Sequence, residues 1–459
     1  MNGKLLPVLT AFIAIILLAN WCLAPLHMHL PARVPGMDRP AGVLTLLQIN
    51  LAGVFVHSSG IPAADLSGAW PRFRGEKLDD INTETVPLAS EWDASGPKKL
   101  WSHELGEGYA GAAVRAGRAY VLDYDQQARR DILRCLSLAD GQEIWNRSYP
   151  IEVKRNHGMS RTVPTVTDKY VVTLGPKCQV LCLDAQNGDY RWGIDLVREY
   201  HTKVPAWYAG QCPFIDNDRV ILAPGGDALL IAVDSATGKV LWKTPNPRDW
   251  NMTHSSIIPI TFHGTPMYVY CASGGVVGVS ARDGSILWET DAWKITIANV
   301  PTPVLVGEGR LFLTGGYNAG SMMLQLSEQG GKFTAKPEFR LPPEVFGSDQ
   351  QTPIFYQGYI YGVIPGGQLA CLDLNGHQVW CSGSEYRFGL GPYLIAQGMM
   401  YILNDTGTLT LVQASPTGYK QLSQARVLTG HDAWGPLALA GGRLIARDLT
   451  RMVCLDVRK

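Results

Sequence analysis

The sequence predicts an all-β fold: an eight-bladed β-propeller of four-stranded antiparallel blades, preceded by an apolar N-terminal helix. Three observations predict it. A stretch of the type apolar-Leu-x-x-x-Gly-x-x-apolar-Trp recurs, hairpin-turn dipeptides fall at fixed places inside each period, and the last period stops short while an orphaned Leu-Trp pair stands near the start. A period in the forties is the length of a propeller blade, so domains are not counted from the 459 residues by length.

The recurrent stretch reads CLSLADGQEIW ending at Trp145, CLDAQNGDYRW at Trp192, AVDSATGKVLW at Trp242 and GVSARDGSILW at Trp288. A shortened copy, CLDLNGHQVW, ends at Trp380. Successive separations are 47, 50 and 46 residues, and the step from 288 to 380 is 92, twice 46. The skipped copy is MLQLSEQGGKF, which places Phe333 where the tryptophan belongs.

Within a period, a short first strand such as Thr165-Val166 meets a tight turn, for example Ala116-Gly117 or Asn217-Asp218. An alternating second strand follows, then the Cys-Leu-Asp strand, then a turn into the tryptophan strand. Asp140-Gly141, Asn187-Gly188, Thr237-Gly238 and Asp283-Gly284 supply the positive φ that such hairpins need. Seven copies begin near Tyr109, Ser160, Cys212, His254, Val300, Gln351 and Leu390. An eighth runs from Trp434 to Asp456 and lacks its outer strand; Lys99-Leu100-Trp101-Ser102 is expected to supply it and close the ring, leaving no open sheet edge. The 362 residues from Lys98 to Lys459 give about 45 per blade.

The organisation expected is therefore a signal or anchor region over 1–64, a lead-in over 65–97 and the propeller over 98–459. Leu5 to Ala24 is mostly apolar, and twenty residues at about 1.5 Å each match a bilayer core of about 30 Å. A second apolar run, Val43 to Val56, has the form of a signal-peptide core with small residues at Ser58 to Gly60 and Ile61 to Ala63 for cleavage. Met37 is an alternative start, and the folded body is expected near Trp70.

Basic and acidic residues balance at 40 each, and no basic run offers a nucleic acid an electrostatic footprint. Cys135, Cys182, Cys371 and Cys454 share one place in the repeat, as small inward-facing residues would. Neither a Gly-x-Ser-x-Gly elbow, a phosphate-cradling Gly-rich loop nor a His-Glu-x-x-His motif occurs. Asp216-Asn217-Asp218 falls in a first-to-second-strand turn and is read as turn chemistry.

The Asp-x-x-Gly-x-x-x-Trp turns resemble the pyrroloquinoline-quinone-like repeat of quinoprotein dehydrogenases, and are similar to the lipoprotein propeller of the outer-membrane β-barrel assembly machine. Trp70-Pro71-Arg72-Phe73-Arg74-Gly75 resembles the lead-in of exported proteins with this propeller. The resemblance covers residues 70 to 459 and implies the fold; enzymes and binding proteins share it. The enzymes hold a quinone and a bivalent cation, often under a disulfide of adjacent cysteines, and no Cys-Cys pair occurs here.

The resemblance implies an exported or membrane-anchored, non-catalytic scaffold, in the periplasm or held to the inner membrane outside the cytoplasm, that binds a protein partner or a small polar ligand. No cofactor is expected. The alternative is a quinone-dependent oxidoreductase acting on an alcohol or sugar, with pyrroloquinoline quinone and calcium. Functional residues are expected in the loops between blades, which gather at one channel face. Candidates are His157, Arg161, Tyr208, His254, Trp293, Lys294, Gln350, Arg387, His431 and Trp434.

Overall fold

A computed structural model describes residues 5–23, 48–93 and 95–459. The chain divides into two units, Met1–Leu44 and Thr45–Lys459. The first carries the helix Leu5–Leu23, with Phe12, Ile16 and Trp21 exposed. Among the described residues no helix is long and apolar enough to cross a membrane.

The second unit is the eight-bladed propeller. Eight antiparallel sheets follow one another, with inner strands Ala113–Arg115, Thr165–Val166, Phe214–Asp216, Ile258–Phe262, Val304–Leu305, Ile354–Tyr356, Tyr393–Ala396 and Ala438–Ala440. Ring closure is as expected: Lys98–Glu104 is the outer strand of blade 8, and Trp101 lies opposite Cys454. Strands inside the blades are buried on both faces, as in Ile231–Asp234 and Gly275–Ser280. Their near-continuous apolar character follows, because each sheet packs between two others.

The repeated Gly and Trp explain how blades join. Each tryptophan lies opposite the third-strand residue just before a register shift, as in Cys135↔Trp145 and Cys182↔Trp192. Several of the indoles reach the next blade's turn: Trp101 Nε1 donates to Leu138 O at 3.0 Å, Trp145 to Gln186 O at 3.1 Å and Trp192 to Ser235 O at 2.8 Å, whereas Trp288 donates to Met267 Sδ of its own blade. The turn glycine sits on the ring. A Cβ on Gly141, at φ 71°, would stand 2.7 Å from Trp101, so both conformation and contact require glycine.

Two blades depart from the pattern. In blade 5 the equivalent place belongs to Phe339, opposite Met323 before the register shift, and not to Phe333. The hairpin is longer there, with strands Gly320–Gln329 and Lys332–Leu341, so Phe333 comes too early to reach the neighbouring turn, while Phe339 meets Gly376. Blade 7 carries Ser423 at this place. Trp92 of the lead-in comes in instead: its backbone N–H donates to Ser423 Oγ at 3.0 Å and its ring lies 6.2 Å from Tyr401.

The folded body begins earlier than Trp70. Leu51 is buried, and Val54–His57 is a fifth strand beside Glu143–Pro150 of blade 1. Ser58 and Gly60 donate to Ile144 O and Glu143 O, both at 2.9 Å. The expected cleavage region thus runs along a blade, and the second apolar run ends in a strand; its first residues, 43–47, lie outside the described ones. Phe55 packs on Trp145 at 6.4 Å, while Val54 and Val56 beside it are exposed.

Candidate functional site

The two mouths of the channel differ. The mouth ringed by first-to-second-strand turns is crossed by the lead-in. Trp70 and Val114 exchange backbone hydrogen bonds of 2.9 and 2.8 Å, and Val166 N donates to Pro71 O at 2.8 Å. Arg72 reaches Ile215 O, Ile395 N donates to Asp80 O, and Asn82 Nδ2 reaches Leu439 O. Blades 1, 2, 3, 7 and 8 are tied in this way, and Arg74 adds blade 6 through Pro353 O at 3.0 Å. Arg74, 2% exposed, pairs with Asp80 at 2.6 Å. Burial still pushes the Asp80 carboxyl up to about 6, despite the guanidinium beside it. Arg74, Leu78 and Asp80 all have positive φ, so the segment folds back on itself to make these contacts.

The opposite mouth gathers the loops between blades and the second-to-third-strand turns. A cleft of about 410 Å³ opens there between blades 6 and 7, lined by Gln350, Gln351, Arg387, Asp405 and the backbone of Gly366, Gly367 and Gly389. Arg387 donates to Ser384 O and Gly366 O, and is held by carbonyls alone among the described residues. Asp405 accepts from Leu390 N and from Trp434 Nε1, both at 2.8 Å. Asp349, half-buried on the cleft wall, has its pKa raised by desolvation.

Beside the cleft lies an aromatic wall. Trp434 and Tyr109 sit 5.1 Å apart, and the Arg161 guanidinium stands 5.0 Å over the Tyr109 ring. His254 lies near Arg161; burial above all, with that positive charge, lowers its pKa to about 4. Gly210 allows this packing, since a Cβ there would meet His254 Cδ2 at 2.7 Å. Tyr208 donates to Lys154 O at 2.5 Å, and His157 takes positive φ in the loop before Arg161.

The structure therefore places Gln350 and Arg387 on the cleft, and Arg161, Tyr208, His254 and Trp434 near the channel, with His157 on the adjoining loop. His431 is exposed beside Asp432 at 3.4 Å. Trp293 and Lys294 stand in the loop between blades 4 and 5. Trp293, 2% exposed, belongs to the apolar core with Ile295 and Leu313, and Lys294 is exposed beside Asp291 at 3.7 Å. Alternate residues after a strand point to opposite sides, so a loop position does not guarantee a rim position. Tyr109, Tyr317, Asp349 and Asp405 were missed. Tyr317 and Asp405 follow second strands, and the repeat puts those turns on the same face as the blade-to-blade loops.

Fold and mouth define a closed eight-bladed propeller with one mouth filled by its own lead-in and a polar, aromatic cleft at the other. The family model for outer membrane protein assembly factor BamB matches residues 128–380, more than half of the chain, and the chain belongs to this family. It is 21% identical to outer membrane protein assembly factor BamB of Moranella endobia, covering 72% of each chain. To the Yersinia pestis BamB it is 20% identical, over 66% of this chain and 71% of the relative. Among solved structures, BamB from Moraxella catarrhalis matches with TM-score 0.54 and 13% identity, covering 78% of this chain and 99% of that one. A europium-containing methanol dehydrogenase matches with TM-score 0.60 and 14% identity, over 84% and 89%. Both structural likenesses speak for the fold alone.

Proposed function

We propose that this protein is an exported, membrane-anchored and non-catalytic propeller that binds a partner protein in outer-membrane assembly, with the open mouth as its docking face. The observation that carries the reading is the cleft between blades 6 and 7. Glycine backbone and amide side chains line it, and its one arginine is held by carbonyls, a surface suited to peptide groups. Family membership and the printed function of the relatives, outer membrane protein assembly, support the same reading. The apolar sequence of Leu5–Leu23 suits an export signal, which would put the propeller outside the cytoplasm.

Quinone chemistry finds a poor fit in this donor set. The sequence has no adjacent cysteines, Asp405 is engaged by Leu390 N and Trp434 Nε1, and no three His, Cys, Asp or Glu among the described residues gather as metal ligands. Two experiments test the proposal. A photo-crosslinking amino acid at position 387, activated in native membranes, should capture a defined protein, while one at exposed Arg282 on the opposite turns should not. Equal capture at both positions, or none at 387, removes the cleft as the docking face. Titration of the purified chain with pyrroloquinoline quinone and calcium should give no spectral shift; a shift with micromolar binding would replace the scaffold by an oxidoreductase.

A further inference from the structure

Arg161 is a partly buried charge that the scaffold reading does not use. Its Nε is buried with no hydrogen-bond partner, and its Nη2 donates only to Asn156 O at 3.3 Å. No salt bridge among the described residues includes it. Burying a guanidinium without a counter-charge costs several kcal/mol, so an unpaired one inside a channel mouth calls for a ligand of opposite sign. Arg447, which is buried, shows the other solution: three carbonyls, of Gly106, Ala110 and Leu122, surround it.

The neighbours of Arg161 are donors and rings. Asn156 Nδ2 and Ser160 Oγ, in the same loop, are buried without partners. Tyr109 underlies the guanidinium, Trp434 extends the aromatic wall, and Tyr317 lies within electrostatic reach. Of the acids of this mouth, Asp432 faces the Tyr109 hydroxyl at 3.4 Å, Asp405 holds Trp434, and the half-buried Asp349 acts on Tyr317 rather than on Arg161.

We propose that the blade-2 entry loop, residues 156–161, is a binding site for a small aromatic carboxylate, which places its oxygens on the Nη edge of Arg161, the edge not enclosed by protein, and its ring against Trp434. A planar fork and a carboxylate match in geometry as well as charge. The site does not depend on the docking role of the cleft, so either stands without the other.

The test uses the full chain in detergent and benzoate as the probe, followed by calorimetry and thermal unfolding. Benzoate should bind the wild type and raise its melting temperature. Arg161→Gln should weaken binding about tenfold or more, and Arg161→Lys less. Unliganded Arg161→Gln should melt no lower than wild type, which separates loss of the site from loss of the fold. Cyclohexanecarboxylate binding more weakly than benzoate would support the aromatic wall. A blocked glutamate-containing peptide that displaces benzoate would identify a partner's acidic side chain as the source, and failure to displace it a free carboxylate. Absence of benzoate binding at about 1 mM, or equal binding by wild type and Arg161→Gln, overturns the proposal.

Discussion

Two arginines at opposite mouths of one channel have different surroundings. Arg74 is enclosed by the lead-in, which ties six blades into a floor, and is paired with Asp80 and bonded to Pro353 O. Arg161 stands over a tyrosine with an unpartnered Nε and no carboxylate among the described residues in reach. One charge is satisfied by its own chain and the other is left for a second molecule. On the proposed reading, a propeller with eight nearly equivalent blades has a structural end and a recognition end.

Removing partners should separate the two ends, and the largest effect belongs to ring closure. Trp101→Ala deletes the indole by which the N-terminal strand docks blade 8 on blade 1. Urea unfolding should show a loss of about 3–5 kcal/mol, as for other buried large-to-small changes. Asp80→Ala leaves the Arg74 charge buried and unpaired, with an expected loss of about 3–5 kcal/mol. Arg161→Gln should change stability by no more than about 0.5 kcal/mol, or raise it, because it gives up only a long bond to Asn156 O and the contact with the Tyr109 ring while removing an unpaired charge. Equal losses from these last two variants would erase the distinction between the mouths.

A smaller effect follows from pH. His254 has a folded pKa of about 4, below its unfolded value near 6.5, so the unfolded chain binds the proton more readily. Its contribution is present above about pH 6.5 and is lost as pH falls toward 4, amounting to about 2–3 kcal/mol across that window. His254→Gln should flatten the curve of stability against pH there. The smallest effect is expected at blade 7, where Trp92→Ala removes a partly exposed indole; about 1–2 kcal/mol is expected by calorimetry.

The repeat was legible in the sequence because blade packing imposes a period: a glycine at positive φ must sit on a tryptophan of the preceding blade, so both recur. Blade number and ring closure followed from Trp101 and from the truncated last copy. Residues of the open mouth were legible only in part. Arg161, His254, Gln350, Arg387 and Trp434 lie in loops whose face the repeat dictates, but Trp293 is drawn into the core, and Asp405 shows its role only through Trp434. The match of Phe333 failed for a similar reason, since strand length, not spacing in the motif, decides which phenylalanine reaches the next blade.

By itself, then, the sequence determined the fold class, the number of blades and the closing strand, all of which rest on local turn chemistry and on repeated nearest-neighbour packing. Only the tertiary structure decided how the channel ends. The lead-in has no repeat to betray it, yet it crosses one mouth, and Trp92 completes a blade that begins three hundred residues later. Those contacts join segments far apart in the chain through hydrogen bonds to whatever backbone the closed ring presents, and no periodicity in a sequence records them.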